Sequence, residues 1–214
     1  MREDAHRVDA LLDTGGEDVL TEGAHRAAAL GVDATVWACT SGSFVYGRDG
    51  ARRQVEWVRR ASGTPASSTS WAFVHALAGL RVSRVTLAAT YPEEVSRRFA
   101  AFLTAAGIDV VSLNSHGIIT AAEVSRLDPN EVVGFVTSNG HPRAGAVLVP
   151  DTALHSAHLV EPLEALLGKA VLTADQVSVW EGLRLAGDTR PRASGPGTLF
   201  RTGAAEVASM LPQV

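Results

Sequence analysis

The stretch ATVWACTSGS at residues 34–43 decides the fold of this chain. A short apolar run with β-branched and aromatic residues ends in a cysteine, and small polar residues follow. This pattern predicts a buried strand over Ala34–Ala38 and a turn that begins at Cys39. An open α/β sheet binds its ligands at the carboxyl ends of its strands, so Cys39 stands where such a protein places a reactive group. It is the single cysteine among 214 residues, and no disulfide within the chain is available to it.

Predicted strands and helices alternate along the chain. This order is typical of an α/β fold with parallel sheets and helices on both faces. The apolar pattern of residues 8–30 is interrupted by Gly15 and Gly16 and predicts two helices or one broken helix. The further predicted strands are Val85–Ala89, Ile108–Leu113, Ala146–Val149 and Ala170–Thr173, and the further helices include Val55–Ala61, Ser68–Leu80, Pro92–Ala106, Ala121–Leu127, Leu159–Leu167 and Ala174–Leu185.

A weak internal repeat accompanies this alternation. The segment AVLVPDT at residues 146–152 parallels ATVWACT at residues 34–40, and Asp151 takes the place of Cys39. Two pseudo-symmetric Rossmann-like lobes would then place these two residues on opposite walls of one cleft. The alternative is that any two strand–helix units look alike at this level. We expect a first lobe of residues 1–80 with 188–214 and a second lobe of residues 81–187.

Composition restricts the classes of partner. The net charge of −4 gives no electrostatic argument for binding nucleic acid or an anionic membrane. No apolar stretch approaches the ~20 residues that span a bilayer, and the polar start lacks the apolar region of a signal peptide. With a lone cysteine, these features predict a cytoplasmic protein. We find no metal-ligand spacing and no G-x-G-x-x-G or P-loop motif, so neither a metal nor a nucleotide cofactor is predicted.

Two residues are candidates for catalysis. The Cys39 thiol can act as a nucleophile or proton donor, and its alternative is an inert buried cysteine. Asp151 follows a predicted strand and can act as a general acid or base, although aspartate also serves as a cap or turn residue at such positions. His155 and His158 are near enough in sequence to orient Asp151 or to titrate beside it.

Hydroxyl-bearing residues follow several of the predicted strands. Their hydroxyl and backbone N–H groups are suited to binding carboxylate oxygens. The alternative for the serines and threonines is helix capping, and for the tyrosine it is packing in the core. The candidate substrate-binding residues are Thr40, Ser41, Ser68, Thr69, Tyr91 and Thr152.

Four motifs together carry a resemblance to a known group of enzymes. ACTSGSF at residues 38–44 resembles the first cysteine loop of maleate cis-trans isomerases and arylmalonate decarboxylases, within the aspartate/glutamate racemase superfamily. ATYPEEV at 89–95 resembles that group's Thr-Pro-Tyr loop, and GTLF at 197–200 resembles its terminal Gly-x-Leu motif. Asp175-Gln176, Trp180 and LRLAG at 183–187 resemble its Ser-Asn-Gln-Ala…Trp…Leu-Arg-Leu-Ala-Gly segment. The match extends from about Val32 over nearly the whole remaining chain.

The resemblance implies two pseudo-symmetric lobes and cofactor-independent chemistry at a carbon next to a carboxylate. In the isomerases the first cysteine adds to the double bond of maleate, and rotation followed by elimination gives fumarate. In the decarboxylases a cysteine of the second loop protonates an enediolate after carbon dioxide has left. Here the chain departs from the group, because Asp151 stands where the second loop normally reads Ser-Cys-Thr. The group's opening strand also has no counterpart before Val8, and we expect that strand to be missing.

The leading hypothesis is therefore a cysteine-dependent isomerase acting on a small carboxylate or dicarboxylate, with Cys39 as nucleophile or proton donor and Asp151 as the opposing acid or base. The alternatives are an arylmalonate-type decarboxylase and a non-catalytic carboxylate-binding protein of the ectoine-utilisation type. A further possibility is a hydrolase-like acyl-transfer reaction at Cys39. Such a reaction needs a base for the thiol, and no histidine of the chain is marked as that base by a motif. The sequence leaves open whether the protein forms a homo-oligomer.

Overall fold

Two parallel sheets organise the structure, a computed structural model that describes residues 5–203. The first sheet pairs β1 with β2, and the second has the strand order β4-β3-β5-β6. The α/β fold with parallel sheets predicted from the sequence is confirmed. The strands are β1 (Thr35–Trp37), β2 (Ala66–Ser68), β3 (Arg84–Ala89), β4 (Asp109–Ser115), β5 (Ala146–Val149) and β6 (Ala170–Thr173).

Helices connect the strands and cover the sheets. The break at Gly15 and Gly16 separates the first two helices, as the sequence predicts. The helices are α1 (Val8–Thr14), α2 (Glu17–Ala28), α3 (Thr40–Phe44), α4 (Gly47–Ser62), α5 (Thr69–Gly79), α6 (Glu93–Ala105), α7 (Ala121–Val124), α8 (Pro129–Ser138), α9 (Val160–Leu167), α10 (Ala174–Leu185) and α11 (Gly197–Thr202), with a 3-10 turn at Ala157–Leu159 before α9.

Four elements escaped the sequence analysis, namely β2, α3, α8 and α11. β2 has only three residues, two of them serines, and it forms because its backbone pairs with β1 in the register Thr35↔Ala66 to Trp37↔Ser68. α8 begins with Asp128 as N-cap and Pro129 in its first turn, which is an ordinary start signal for a helix. A glycine in the middle of its apolar pattern, Gly134, weakens the helical signal there.

The sequence repeat has a structural counterpart. The order β1–α3–α4–β2–α5 in the first unit corresponds to β5–α9–β6–α10 in the second. β2 runs directly into α5, and β6 runs directly into α10. These two helices contact each other through a buried hydrogen bond of 2.6 Å between Thr69 Oγ1 and Ser178 Oγ. The two units are therefore joined at equivalent helices.

One hydrophobic core spans both units. It includes Phe44 from α3, Phe73 from α5, Phe99 from α6 and Leu172 from β6, all at most 1% exposed. The ring of Phe99 lies 5.0 Å from that of Phe44 and 5.5 Å from that of Phe73. Burial of each such side chain stabilises the fold by about 1.5–3 kcal/mol. Because Phe44 follows the Cys39 loop and belongs to this core, the core holds the loop against the second sheet.

None of the helices in residues 5–203 combines the length and the apolar character that a bilayer crossing requires. The division into lobes of residues 1–80 with 188–214 and of residues 81–187 stays a prediction, and part of it falls on residues 1–4 and 204–214, which lie outside the described part of the chain.

Candidate active site

Polar side chains meet at the carboxyl ends of five strands. β1 leads into Cys39, β2 ends at Ser68, and β3 leads into Thr90 and Tyr91. β5 leads through Pro150 into Asp151, and β6 ends at Thr173. Because the strands of each sheet are parallel, these ends lie on one side of that sheet, as expected for the ligand site of an open α/β fold.

The loop that carries Cys39 is held from two neighbouring helices. The buried Gln54 of α4 donates from Nε2 to Gly42 O at 3.2 Å and to Gly15 O at 2.9 Å. Ser70 of α5 donates to Thr40 O at 2.9 Å. A Cβ atom on Gly15 would lie 2.5 Å from Gln54 Nε2, so the α1–α2 break needs a glycine at this point. These contacts fix the backbone that follows the thiol.

Cys39 is the N-cap residue of α3 and is partly exposed, so it is not the fully buried cysteine of the alternative interpretation. Desolvation raises the pKa of its thiol, and the negative charge of Asp151 raises it further. Hydrogen bonds from the Gly42 backbone and the Ser41 hydroxyl act in the opposite direction. Because the net pKa is raised, the thiol carries its proton at neutral pH.

Asp151 is 2% exposed and accepts hydrogen bonds on both oxygens. Oδ1 accepts from the backbone N–H of Ala153 at 2.9 Å, which is the turn contact that the alternative interpretation predicts. Oδ2 accepts from the hydroxyl of Thr90. Asp151 thus shapes the loop after β5 and is also tied across the sheet to the end of β3.

Tyr91 connects the two candidate catalytic residues. Its hydroxyl donates to Pro150 O at 2.7 Å, directly beside Asp151. Its pKa is raised well above the ordinary value by burial, by the negative charge of Asp151 and by the charge of Cys39 in its thiolate form. A group whose pKa responds to both side chains lies near both of them, so Tyr91 is close to Cys39 and to Asp151. Their catalytic roles stay predictions.

Among the buried hydroxyls at these strand ends, those of Thr40 and Ser68 have no hydrogen-bond partner within residues 5–203. Thr40 is close enough to the Tyr91 hydroxyl to lower the pKa of the phenol, but it does not reach hydrogen-bond geometry with it. Ser68 is the N-cap residue of α5, yet its side chain makes no capping hydrogen bond. Helix capping therefore does not account for Ser68. A buried hydroxyl without a partner costs free energy, which suits a group that binds a ligand.

The other candidate binding residues have different surroundings. Thr69 Oγ1 is hydrogen-bonded to Ser178 Oγ, and the Tyr91 hydroxyl is used by Pro150 O. Ser41 is 5% exposed with its hydroxyl near the Cys39 thiol, and Thr152 is half-buried beside Asp151. A substrate-binding role stays a prediction for all four.

The structure adds residues that the sequence analysis did not assign to the site. His6, from the segment before α1, is 6% exposed, and its Nε2 lies 3.9 Å from Asp151 Oδ2. No sequence signal marks it, because the contact joins residues 145 positions apart and arises only from folding. Thr90, which directly follows β3, donates its hydroxyl to Asp151.

Asp175 of α10 completes the charged surroundings. Desolvation raises its pKa, the charge of His155 lowers it, and the charge of Asp151 raises it. His155, which is exposed, lowers the pKa of Asp175. His158 is also exposed and lies in the 3-10 turn before α9. Within the described residues no three histidine, cysteine, aspartate or glutamate side chains cluster as metal ligands.

Comparison with known proteins identifies relatives. The arylmalonate decarboxylase family matches residues 9–200. The chain is 29% identical over 145 residues to arylmalonate decarboxylase from Bordetella bronchiseptica. That alignment covers 67% of this chain but only 60% of the relative, so the chain matches less than two thirds of the relative's length.

Solved structures agree in fold. The liganded form of a double mutant of arylmalonate decarboxylase superposes with a TM-score of 0.86 at 26% identity, over 92% of this chain and 83% of that one. A maleate isomerase from Pseudomonas putida S16 with maleate has a TM-score of 0.87 at 21% identity, over 94% and 82%. With a family match over most of its length and this fold, the chain belongs to the arylmalonate decarboxylase family.

Proposed function

We propose that this protein is a cofactor-independent, cysteine-dependent isomerase of the maleate isomerase type, acting on a small carboxylate or dicarboxylate. One observation carries the proposal: the charge of Asp151 reaches the Cys39 thiol, and the hydroxyls of Thr40 and Ser68, which lie at the ends of β1 and β2, have no hydrogen-bond partner within residues 5–203. The amino termini of α5 and α10 lie at the same strand ends, and their dipoles favour a bound anion. We place the protein in the cytoplasm, where a lone thiol stays reduced.

In the isomerisation Cys39 acts as the nucleophile and Asp151 as the base that accepts its proton. Because the resting thiol is protonated, Cys39 needs a base, and Asp151 is the carboxylate whose field reaches it. The proton moves from Sγ to Asp151, and the sulfur lone pair forms a C–S bond to one alkene carbon. The electron pair of the double bond is delocalised into the carboxylate next to the other carbon. After rotation about the new single bond, the C–S bond breaks, the double bond reforms, and Asp151 returns the proton to sulfur.

A second candidate is decarboxylation of an arylmalonate-type acid. The family match and the curated relative favour it, and so does the raised pKa of Cys39, since a protonated thiol is ready to donate. The C–C bond to the departing carboxylate breaks, its electron pair forms an enediolate, and carbon dioxide leaves. The carbon then takes the proton from Cys39. The hydroxyls of Thr40 and Ser68 would bind the oxygens of the remaining carboxylate.

The test is an assay of the purified protein with maleate and with phenylmalonate, following fumarate formation and carbon dioxide release. Turnover of one acid that is lost in Cys39→Ala and strongly reduced in Asp151→Asn supports the proposal. Asp128→Asn is the matched control, because Asp128 caps α8 outside the site and asparagine caps equally well. Equal turnover by the wild type and Cys39→Ala would rule the thiol out. Thermal stabilisation by these acids without product would indicate a non-catalytic binding protein.

A further inference from the structure

Two arginines on one face of α4 lie against a single buried indole. Arg48 and Arg52 are four positions apart on this helix, so their side chains are neighbours on its surface. The guanidinium carbon of each lies 5.9 Å from the centroid of the Trp71 ring, which belongs to α5. Trp71 is 5% exposed, and the imidazole of His75 stacks on it with ring centroids 6.0 Å apart. We call Arg48, Arg52 and Trp71 the arginine–tryptophan cluster.

The N–H donors of this cluster lack acceptors. Arg48 Nε and the indole Nε1 of Trp71 are both buried, and neither makes a hydrogen bond within residues 5–203. In the same part of the chain, neither Arg48 nor Arg52 forms an ion pair with a carboxylate. Buried donors are nearly always paired in folded proteins, and both of these groups can only donate. The partner that the cluster lacks is therefore a hydrogen-bond acceptor, and two guanidinium charges favour an anionic one.

Packing of the arginines on the ring explains only part of this arrangement. A guanidinium within about 6 Å of a tryptophan ring is attracted by its π face, which accounts for the positions of Arg48 and Arg52. The N–H bond of the indole lies in the plane of the ring, so contacts on the face leave this donor unused. Like charges four positions apart on a helix also repel each other. An anion held between the two guanidinium groups would remove this repulsion and pair the unused donors.

The buried carboxylate beside the cluster is already occupied. His75, which stacks on Trp71, has its Nδ1 2.6 Å from Glu181 Oε1. Arg184 donates two hydrogen bonds to the same carboxylate, at 2.8 Å and 2.9 Å. Asp49 is exposed and, as the next residue along the helix, lies about 100° around α4 from the first arginine of the cluster. The cluster thus keeps an excess of positive charge.

We propose that the arginine–tryptophan cluster is a binding site for a phosphate group, separate from the candidate active site. Guanidinium groups bind phosphate through paired, charge-assisted hydrogen bonds. A phosphate group carries a charge of about −1.5 to −2 at pH 7, which balances two arginines, whereas a single carboxylate balances only one. The indole N–H supplies a further donor for one of the phosphate oxygens.

A ligand can reach the cluster from solvent. Arg52 is exposed and Arg48 is partly exposed, whereas Trp71 is buried. The Arg48 side chain has several rotatable bonds, so a small rotation exposes its buried Nε to the ligand. The cluster contains none of the residues assigned to the candidate active site, so the inference stands or fails independently of the proposed function.

Isothermal titration calorimetry with inorganic phosphate, at constant ionic strength, tests the site. The wild type should bind a single phosphate per chain. Arg48→Gln and Arg52→Gln each remove charge-assisted hydrogen bonds and should raise Kd by about tenfold or more. Trp71→Phe keeps an aromatic ring but removes the N–H, and it should raise Kd by about threefold or more. Arg53→Gln is the matched control, because Arg53 is exposed on the same helix and is not stacked on Trp71, so Kd should change by less than about twofold.

The variants separate the inference from simpler explanations. A rise in Kd with Arg53→Gln equal to that with Arg52→Gln would reduce the effect to surface charge and overturn the inference. Binding that survives Arg48→Gln and Arg52→Gln but is lost in Ser68→Ala would place phosphate in the candidate active site, which would overturn it too. So would the absence of any binding by the wild type. Because Arg52 is exposed, Arg52→Gln should fold normally and keeps the test decisive if Arg48→Gln is destabilised.

Glycerol phosphate then identifies the source of the phosphate group. Tighter binding of this ester than of inorganic phosphate would indicate a phosphorylated small molecule as the ligand, and binding of inorganic phosphate alone would indicate the free ion. A ligand that binds only the folded state stabilises it, so the melting temperature of the wild type should rise with ligand concentration and that of Arg52→Gln should rise less. Equal rises in the two proteins would contradict the assignment of the site.

Discussion

His75 Nδ1 lies 2.6 Å from Glu181 Oε1, and this buried contact joins the helix that follows β2 to the helix that follows β6. Arg184 donates two further hydrogen bonds to the Glu181 carboxylate, at 2.8 Å and 2.9 Å. Because α5 begins at the end of β2 and α10 at the end of β6, the contact fixes the polar ends of these two strands relative to each other. The geometry of the candidate site thus depends on a pair outside it.

Replacement of this carboxylate, Glu181→Gln, should lower the free energy of unfolding by about 3 kcal/mol, since it removes the buried negative charge that pairs with Arg184 and His75. Burial would raise the pKa of Glu181, but the charge of His75 and the hydrogen bonds from Arg184 and His75 lower that pKa to about 2. The folded-state pKa lies below the ordinary 4.5, so the stabilisation is complete above pH 4.5 and is lost as the pH falls towards 2.

Urea unfolding at pH 7, 4.5 and 2.5 measures both effects. The wild type should lose more stability between pH 4.5 and 2.5 than Glu181→Gln does. Glu93→Gln is the control, because its ion pair with Arg97 is exposed and should change the free energy of unfolding by less than about 1 kcal/mol. A Glu181→Gln protein as stable as this control would contradict the assignment.

The reactivity of Cys39 should increase when Asp151 loses its charge. Desolvation and the charge of Asp151 both raise the pKa of the thiol, so Asp151→Asn lowers that pKa and enlarges the thiolate fraction. We expect alkylation by iodoacetamide at pH 8 to become several-fold faster. Asp175→Asn is the control, since Asp175 does not contribute to the pKa of Cys39 and should leave the rate nearly unchanged. A slower reaction in Asp151→Asn would refute the proximity of the two groups.

The unpaired hydroxyl of Ser68 should matter for binding and not for stability. Ser68→Ala removes a buried group that has no hydrogen-bond partner in residues 5–203, so the free energy of unfolding should change by less than about 0.5 kcal/mol. A hydrogen bond to a charged group contributes about 1.5–3 kcal/mol, so KM for a carboxylate substrate should rise by about tenfold or more.

Ser43→Ala gives the opposite result and serves as the control for Ser68. The Ser43 hydroxyl is buried and donates within the loop, 2.8 Å from Thr40 O and 3.0 Å from Cys39 O. Its removal should cost about 1 kcal/mol of stability, measured by thermal or urea unfolding. If Ser68→Ala destabilised the fold as much as Ser43→Ala, its hydroxyl would have a structural role instead.

Gly42 should tolerate no side chain. A Cβ atom there would lie 2.9 Å from Trp37 Cη2 and 3.1 Å from Cys39 Sγ, so Gly42→Ala must displace the indole or the thiol. A misplacement of this size lowers turnover by about tenfold or more. The tryptophan emission spectrum should change as well. Gly23→Ala is the matched control, because its new methyl group meets nothing within 4 Å in α2 and should stabilise the helix by about 0.5–1 kcal/mol. Full activity of Gly42→Ala would show that the loop is less rigid than its contacts indicate.

The sequence analysis was most successful where local pattern decides the structure. β5, β6 and α10 begin and end where the apolar runs and helix signals predict, because a buried strand needs a continuous apolar run and a helix needs its periodic one. β2 could not be predicted, since three residues ending in two serines become a strand only when β1 supplies the hydrogen bonds. The same holds for Ser68: whether its hydroxyl caps a helix or stays unpaired depends on neighbours that the local sequence does not name.

By itself, the sequence determined the α/β alternation, the family, and the two positions after β1 and β5 that carry Cys39 and Asp151. These follow from the spacing of apolar residues and from short motifs, which are local properties of the chain. Only the tertiary structure decided that His6 faces Asp151, that Tyr91 feels both candidate catalytic charges, and that His75 and Glu181 lock the two equivalent helices together. Each of these contacts joins residues far apart in the chain, and packing of the common core brings them within reach.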